Sequence, residues 1–365
     1  MKKFINLITS LVMISMLIPT FSIIGSALDF IENGIYYSLL DNDSIYVYNI
    51  DETIANAKIP AYIQGKPVTE IHIEECNNLK TITIPNTVSN IIISKCVNIT
   101  DCYIDDTNEY FTSVNGVIYS NDMKSILFYP PGKKETSFIV PDGIEIIGSE
   151  ECSFWAFGYC TNLEEIILPD SLLEIKECAF AFCTFETIKL PYSLNTIRNC
   201  AFGGNLNLKH IIIPECTKNV DMPFYECNNL ETVIFLDNQM KPNLTSSSEH
   251  TMGDTYYLQI FNGCHASPTV YVPDNNIIEY INISNFWNLS DFTILPLSKI
   301  PCEILSGDVN FDQTLSISDI IMLQKGLANY NCVKMWKAGD MDGNENVNIF
   351  DLIIMKRKLI NSLLL

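Results

Sequence analysis

Leu163-Glu164-Glu165-Ile166-Ile167-Leu168-Pro169, Thr187-Ile188-Lys189-Leu190-Pro191 and Leu208-Lys209-His210-Ile211-Ile212-Ile213-Pro214 are one phrase written three times, with the prolines 22 and then 23 residues apart. Ala-Phe pairs keep the same beat: Ala156-Phe157, Ala179-Phe180, Ala201-Phe202, then Phe224 without its alanine. Cys160, Cys183, Asn205 and Cys227 share a further slot. Upstream, Cys76-Asn77-Asn78-Leu79 before Thr81-Ile82-Thr83-Ile84-Pro85 has the shape of Cys227-Asn228-Asn229-Leu230 before Thr232-Val233-Ile234-Phe235. A unit this short cannot bury its own apolar face, so it must stack on its neighbours, and that predicts a solenoid. The Ile-x-Ile alternations predict short strands with one side inward. Proline ends each strand because it has no N–H to donate. The Ala-Phe pairs and the cysteines then fill equivalent internal slots in successive coils, where free Cys behaves as a small hydrophobe.

The repeat runs from about Asp29 to Leu297, with two interruptions. Ile93 to Asn108 keeps the alternation but is followed by no Ala-Phe pair, and Asp237 to Asp254, with Ser246-Ser247-Ser248, reads as a polar loop between coils. The whole pattern resembles the BspA-like leucine-rich repeats of bacterial surface proteins. The resemblance implies a β-rich leucine-rich-repeat solenoid over 28–298. It also implies a β-insert near 105–140, carried by Val114-Asn115-Gly116-Val117-Ile118-Tyr119 and Leu127-Phe128-Tyr129-Pro130-Pro131-Gly132-Lys133. Val270-Tyr271-Val272-Pro273-Asp274, with Tyr280 and Trp287, resembles the closing segment of such arrays.

A second repeat occupies the C-terminal end. Gly307-Asp308 and Gly339-Asp340 open two copies offset by 32 residues, and Ile320, Leu323 and Leu327 map onto Leu352, Met355 and Leu359, an apolar stripe at helical spacing. Positions 1, 3, 5, 7, 9 and 12 of each loop can place oxygens around one hard cation. In the first copy these are Asp308, Asn310, Asp312, the carbonyl of Thr314, Ser316 (through water) and Asp319. In the second they are Asp340, Asp342, Asn344, the carbonyl of Asn346, Asn348 and Asp351. The donor set fits Ca2+, two ions in all, although position 6 holds Gln313 or Glu345 where a glycine would serve the turn.

No helix is readable before either loop, and position 12 is Asp in both. Loop–helix, linker, loop–helix in this form resembles a type I dockerin, the module that plugs cellulosomal proteins into cohesin domains of a scaffoldin. The likeness spans Gly307 to Ile360 and includes Leu352-Ile353-Ile354-Met355-Lys356-Arg357. It implies that 305–365 form a small all-α calcium-binding dockerin of two loop–helix F-hand motifs, joined to the solenoid by a linker at 299–304. It further implies a cohesin-binding face of Ile317, Ser318, Gln324 and Lys325 in one copy and Ile349, Phe350, Lys356 and Arg357 in the other.

Composition is consistent with this division. Lys2-Lys3, an apolar run from Phe4 to Ile24, and Gly25-Ser26-Ala27 read as a signal peptide over 1–27. No other stretch is long and apolar enough to span a membrane, so none is expected in the mature chain. A net charge of −21 over 365 residues speaks against nucleic acid, whose phosphates would be repelled. Thirteen cysteines in an exported chain would suggest disulfides, but most fall at repeat slots. None of His72, His210, His250 and His265 stands in a motif with a cysteine, and no stretch of enzyme size is left unassigned. Exposed tyrosines such as Tyr192 offer a surface for sugar or protein.

The expectation is a secreted, extracellular, non-catalytic protein. Its dockerin binds a scaffoldin cohesin with calcium, and its solenoid presents a protein- or carbohydrate-recognition surface in a polysaccharide-degrading complex. The competing reading is a cellulosomal hydrolase or peptidase whose active site lies within the solenoid.

Overall fold

A computed structural model describes residues 30–149, 155–236, 261, 264, 268–274, 277–278, 293–300, 315–317, 319–321, 323–324, 339, 341 and 347–363. Each coil of the repeat gives one strand to each of two stacks. In the first, Asn56–Lys58, Thr81–Ile84 and Asp101–Ile104 pair in parallel, with Ala57, Ile82 and Cys102 in register. In the second, Ile45–Ile50, Lys66–Glu74 and Asn90–Ser94 do the same. The pattern recurs downstream, where Ile146–Ile147, Glu174–Ile175, Thr196–Ile197 and Asn219–Val220 form one parallel row. His210–Ile213, Thr232–Phe235, Thr269–Val272 and Thr293–Pro296 form the other. The fold is the β-rich repeat solenoid that the sequence predicts.

Two features were not legible in the repeat. Phe30–Glu32 pairs antiparallel with Ile35–Leu39, which in turn pairs antiparallel with Ile45–Ile50, so the N-terminal sheet ends in a hairpin instead of a bare repeat strand. At the other end Thr293–Pro296 adds to Thr269–Val272, so the stretch read as the closing segment is an inner strand; Tyr280 and Trp287 lie outside the described residues. Beyond that strand, Ile300 is fully buried on the outer side of the sheet against Ile212, Ile234 and Tyr271. The chain entering the expected linker is therefore packed, not free.

The predicted β-rich region is an antiparallel meander of Phe111–Val114, Val117–Ser120 and Ser125–Phe128, whose last strand pairs in parallel with Ile146–Ile147. It stands between two cores. Ile118, Leu127 and Phe128 belong to the N-terminal core with Ile71, Ile82 and Ile91. Val117, Tyr119 and Ile126 belong to the second core with Phe157, Phe180 and Phe202. A strand with apolar residues on both faces can wall off two cores, which is why it shows no in–out alternation.

Stacking in the second core is side chain on side chain. Tyr129, Phe157, Phe180, Phe202, Phe224 and Phe261 form a ladder with successive ring centroids 5.2, 5.1, 5.6, 5.9 and 6.0 Å apart. The cysteine slot does more than fill space. Cys183 Sγ donates to the Phe157 carbonyl at 3.0 Å, Cys227 Sγ to Phe202 at 3.1 Å and Cys264 Sγ to Phe224 at 3.2 Å. Asn205 performs this role for Phe180 and also bonds Phe202, both at 2.7 Å. A buried carbonyl without a donor would be costly, so the slot selects a small donor. Two residues beyond it, Asn78, Asn98, Asn162, Asn207 and Asn229 donate side-chain amides to the carbonyls of Glu52, Asn77, Lys133, Thr184 and Leu206 in the preceding coil.

Among the described residues the position before the slot is left-handed: Glu75, Lys95, Tyr159, Phe182 and Glu226 have φ between 53° and 61°. Such a backbone costs a side chain roughly 1–2 kcal/mol. Tyr159 and Phe182 recover part of it by stacking at 4.9 Å and 7°. The equivalent residue in the next coil is Gly204, because a Cβ there would lie 2.5 Å from the Phe182 ring.

Candidate metal centre and docking helices

The C-terminal helix runs Ile349–Leu363, and residues 317, 319–321, 323 and 324 of the first copy are also helical. Leu323, Leu352 and Met355 are buried together, with Leu315, Ile320, Met341 and Val347 packed against them. Ile320, Leu323, Leu352 and Met355 belong to the predicted stripe, Leu359 of the stripe is also buried, and Leu327 lies outside the described residues, so the two copies bury equivalent faces against each other. Gly339, just before the second loop, packs closely: a Cβ there would lie 3.0 Å from Leu323 Cδ1 and 3.3 Å from Val347 Cγ1.

The loop ends are built alike. Asp319 and Asp351 both have no exposed surface. Asp319 Oδ2 accepts the Ser316 N–H at 2.8 Å, with the Ser316 hydroxyl 3.2 Å away. Asp351 Oδ2 accepts the Asn348 N–H at 2.8 Å, while its Oδ1 accepts that of Met341, the second residue of the loop, at 2.8 Å. An acid three residues into a helix that reaches back to the N-cap amide closes the capping box and suits the positive end of the helix dipole. In the second loop position 12 thereby ties position 9 to position 2. A carboxylate with no exposed surface needs strong compensation. Each is sequence-adjacent to loops that add further carboxylates and amides, and hard oxygen donors of this kind fit a calcium ion. Asp308, Asn310, Asp312, Thr314, Asp340, Asp342, Asn344 and Asn346 lie outside the described residues.

Of the residues expected to meet a cohesin, Ile317 and Ile349 are 65% and 56% exposed, and Gln324, Lys356 and Arg357 are exposed as well. Ser318, Lys325 and the side chain of Phe350 lie outside the described residues. Ile321 and Ile353, one turn beyond Ile317 and Ile349, are exposed too. Sequence reading missed them because the apolar stripe was assigned to the core. Their 32-residue spacing, matched to no core partner, was the available signal.

Among the described residues no helix is long and apolar enough to cross a membrane. The thiols of Cys76, Cys96, Cys102, Cys160, Cys183 and Cys227 are buried in the packed interior. Burial pushes the Cys160, Cys183 and Cys227 thiols well up. A hydrogen bond with Cys96 holds Cys76 down to about 7, yet Cys76 is only 6% exposed. Reactive thiols need partly exposed, electropositive surroundings. His72 is engaged by Glu70 at 3.1 Å, and His250 and His265 lie outside the described residues.

A solenoid of stacked coils followed by a paired loop–helix unit defines a modular binding protein. Its two modules have family counterparts. The BspA type leucine rich repeat region matches residues 121–244 in six copies, and the dockerin type I domain matches residues 306–360. The chain carries both, and both are non-catalytic module types. Type I dockerins are calcium-binding and imply a cohesin partner in a cellulosome-type assembly, while the leucine-rich repeat implies protein binding. No curated protein matches the chain.

Similar solved structures include a leucine rich cell surface protein from Faecalibacterium prausnitzii, 14% identical, covering 57% of this chain and 89% of that one at a TM-score of 0.35. A leucine-rich repeat protein from Eubacterium ventriosum is 14% identical, covering 66% and 96% at 0.35. One from Bacteroides ovatus is 19% identical, covering 73% and 76% at 0.34.

Proposed function

We propose that this protein is an exported, calcium-dependent adaptor that attaches a recognition solenoid to a cohesin-bearing scaffold. The observation that carries the reading is the pair Asp319 and Asp351, buried, 32 residues apart, each closing its loop through a position-9 amide. Two calcium ions would be held by Asp308, Asn310, Asp312, Thr314, Ser316 and Asp319, and by Asp340, Asp342, Asn344, Asn346, Asn348 and Asp351. Bound calcium supplies positive charge that offsets the repulsion among three carboxylates per loop. The chain's own residues do the rest. Asp319 and Asp351 cap their helices, the Leu323, Leu352 and Met355 cluster fixes one helix on the other, and the outward residues are left to meet the partner.

The cohesin face would comprise Ile317, Ser318, Gln324 and Lys325 together with Ile349, Phe350, Lys356 and Arg357. Exposed isoleucines beside Lys356 and Arg357 fit an apolar centre with a charged rim. Residues 28–298 would form the solenoid, 299–304 the junction and 305–365 the dockerin, with 1–27 removed on export. Calorimetry of the full chain with cohesins from a polysaccharide-degrading bacterium tests this: binding is expected in calcium and is lost in excess chelator. Binding of equal strength in chelator, or to no cohesin at all, would refute it.

A further inference from the structure

The N-terminal sheet turns an unusual set of side chains outward. Val47, Ile71, Ile73 and Ile91 point into the core, so alternation puts Tyr46, Tyr48, Glu70, His72, Asn90 and Ile92 on the other face. Register sets Tyr46 beside Glu70, Glu70 beside Asn90 and His72 beside Ile92. Tyr36 joins them, its ring 5.8 Å from that of Tyr48, while Tyr46 lies 5.9 Å from Tyr48 and 5.7 Å from His72. His72 Nε2 is 3.1 Å from Glu70 Oε2 and 3.4 Å from Asn90 Nδ2. All six polar or aromatic members are partly exposed. Coil stacking does not need them, since the inward residues fill the core.

We propose that Tyr36, Tyr46, Tyr48, Glu70, His72 and Asn90 form a binding site for a single chain of a neutral glycan. A sugar presents C–H faces and a ring of hydroxyls that both donate and accept. Tyrosine rings meet the first, and carboxylate, amide and phenol meet the second. The hydrogen bond from His72 keeps the Glu70 carboxyl below the usual range, so it acts as an acceptor at neutral pH.

Charge selects the ligand further. Lys95, at the edge of this face, is held by Glu74 at 2.7 Å and Glu75 at 3.2 Å, and the chain carries −21 overall. Phosphate, sulfate and uronate groups are disfavoured there. The ring planes are inclined at 67° (Tyr36–Tyr48) and 48° (Tyr46–Tyr48). Rings so tilted cannot lie flat on a crystalline polysaccharide surface, but they can flank one soluble chain.

The site deepens the reading of the solenoid as a recognition module and is independent of the dockerin. The test is calorimetry of the full chain with cellohexaose, xylohexaose and mannohexaose, alongside polygalacturonate and microcrystalline cellulose. At least one neutral hexasaccharide should bind. Tyr46→Ala and Tyr48→Ala should each weaken it by about tenfold, the equivalent of one lost ring contact. Glu70→Gln, a nearly isosteric change at a partly exposed side chain, should also weaken it, and Leu173→Ala, an exposed residue on another part of the chain, should not. Thermal unfolding and cohesin binding of each variant serve as controls for folding, so loss of glycan binding with cohesin binding intact bears on this site alone. The proposal is overturned if no neutral hexasaccharide binds, if the folded variants bind like the parent, or if polygalacturonate or cellulose crystals are preferred.

Discussion

The rings of Phe180 and Phe202 lie 5.6 Å apart with planes inclined by 3°, each in its own coil. Both are buried, and each has another ring on its far side. Removing one leaves a void inside a ladder that neighbouring coils cannot close. Phe202→Ala should therefore cost about 3–5 kcal/mol, and Phe202→Leu clearly less. Urea unfolding of the two variants checks the order, and equal losses would mean that the ring itself, not the volume it fills, carries the contribution.

Gly204 should resist even the smallest side chain. Its φ of +68° is left-handed, and a Cβ would sit 2.5 Å from the Phe182 ring. Gly204→Ala should destabilise by about 2 kcal/mol or more. Adding Phe182→Ala removes the clash but not the backbone cost, so the double variant should lose less than the sum of the two single changes.

Asn205 and the cysteines should be exchangeable. Asn205 bonds the Phe180 carbonyl as Cys183 bonds that of Phe157. Asn205→Cys is expected to change stability by under about 1 kcal/mol, while Asn205→Leu, which strands a buried carbonyl, should cost about 1–3 kcal/mol. Denaturation midpoints decide it.

The core thiols should be chemically silent until the chain unfolds. Burial raises the Cys160 and Cys183 thiols, so the reactive thiolate is scarce at pH 8 as well as inaccessible. Alkylation followed by mass spectrometry should label both after denaturation and neither before. Because the raised value belongs to the folded state, raising the pH through the ordinary thiol range should favour thiolate in the unfolded chain and so lower stability.

Replacing Asp319 and Asp351 by asparagine keeps the shape but removes the charges. The capping bonds to Ser316 and Asn348 can persist, whereas cation binding should weaken. Calcium titrations of the full chain should show at least a tenfold loss for each variant at its own site, and cohesin binding should need correspondingly more calcium. Unchanged titration would separate these aspartates from the ion.

Much of this molecule was legible because repetition turns sequence position into structural position. The prolines, the Ala-Phe pairs and the Cys160, Cys183, Asn205, Cys227 series mark the coil, its strands and its inner slots. The 32-residue echo of Asp319 in Asp351 was legible too, since a twelve-residue oxygen alternation is local chemistry. Elements that occur once were not legible. The hairpin Phe30–Leu39 has no second copy to compare with, and Tyr129 and Phe261 join the aromatic ladder from off-beat positions.

What the sequence by itself determined was therefore the repeated unit: where strands fall and which side of each is apolar. Only the tertiary structure decided how singular segments are used. It set the meander between two cores, laid Ile300 on the outer face of the sheet, and gathered Tyr36, Tyr46, Tyr48 and His72 from three strands onto one surface. Periodicity reports which way a side chain points relative to its own strand. Which distant side chains share that direction depends on strand register and pairing order, set by contacts far apart in the chain.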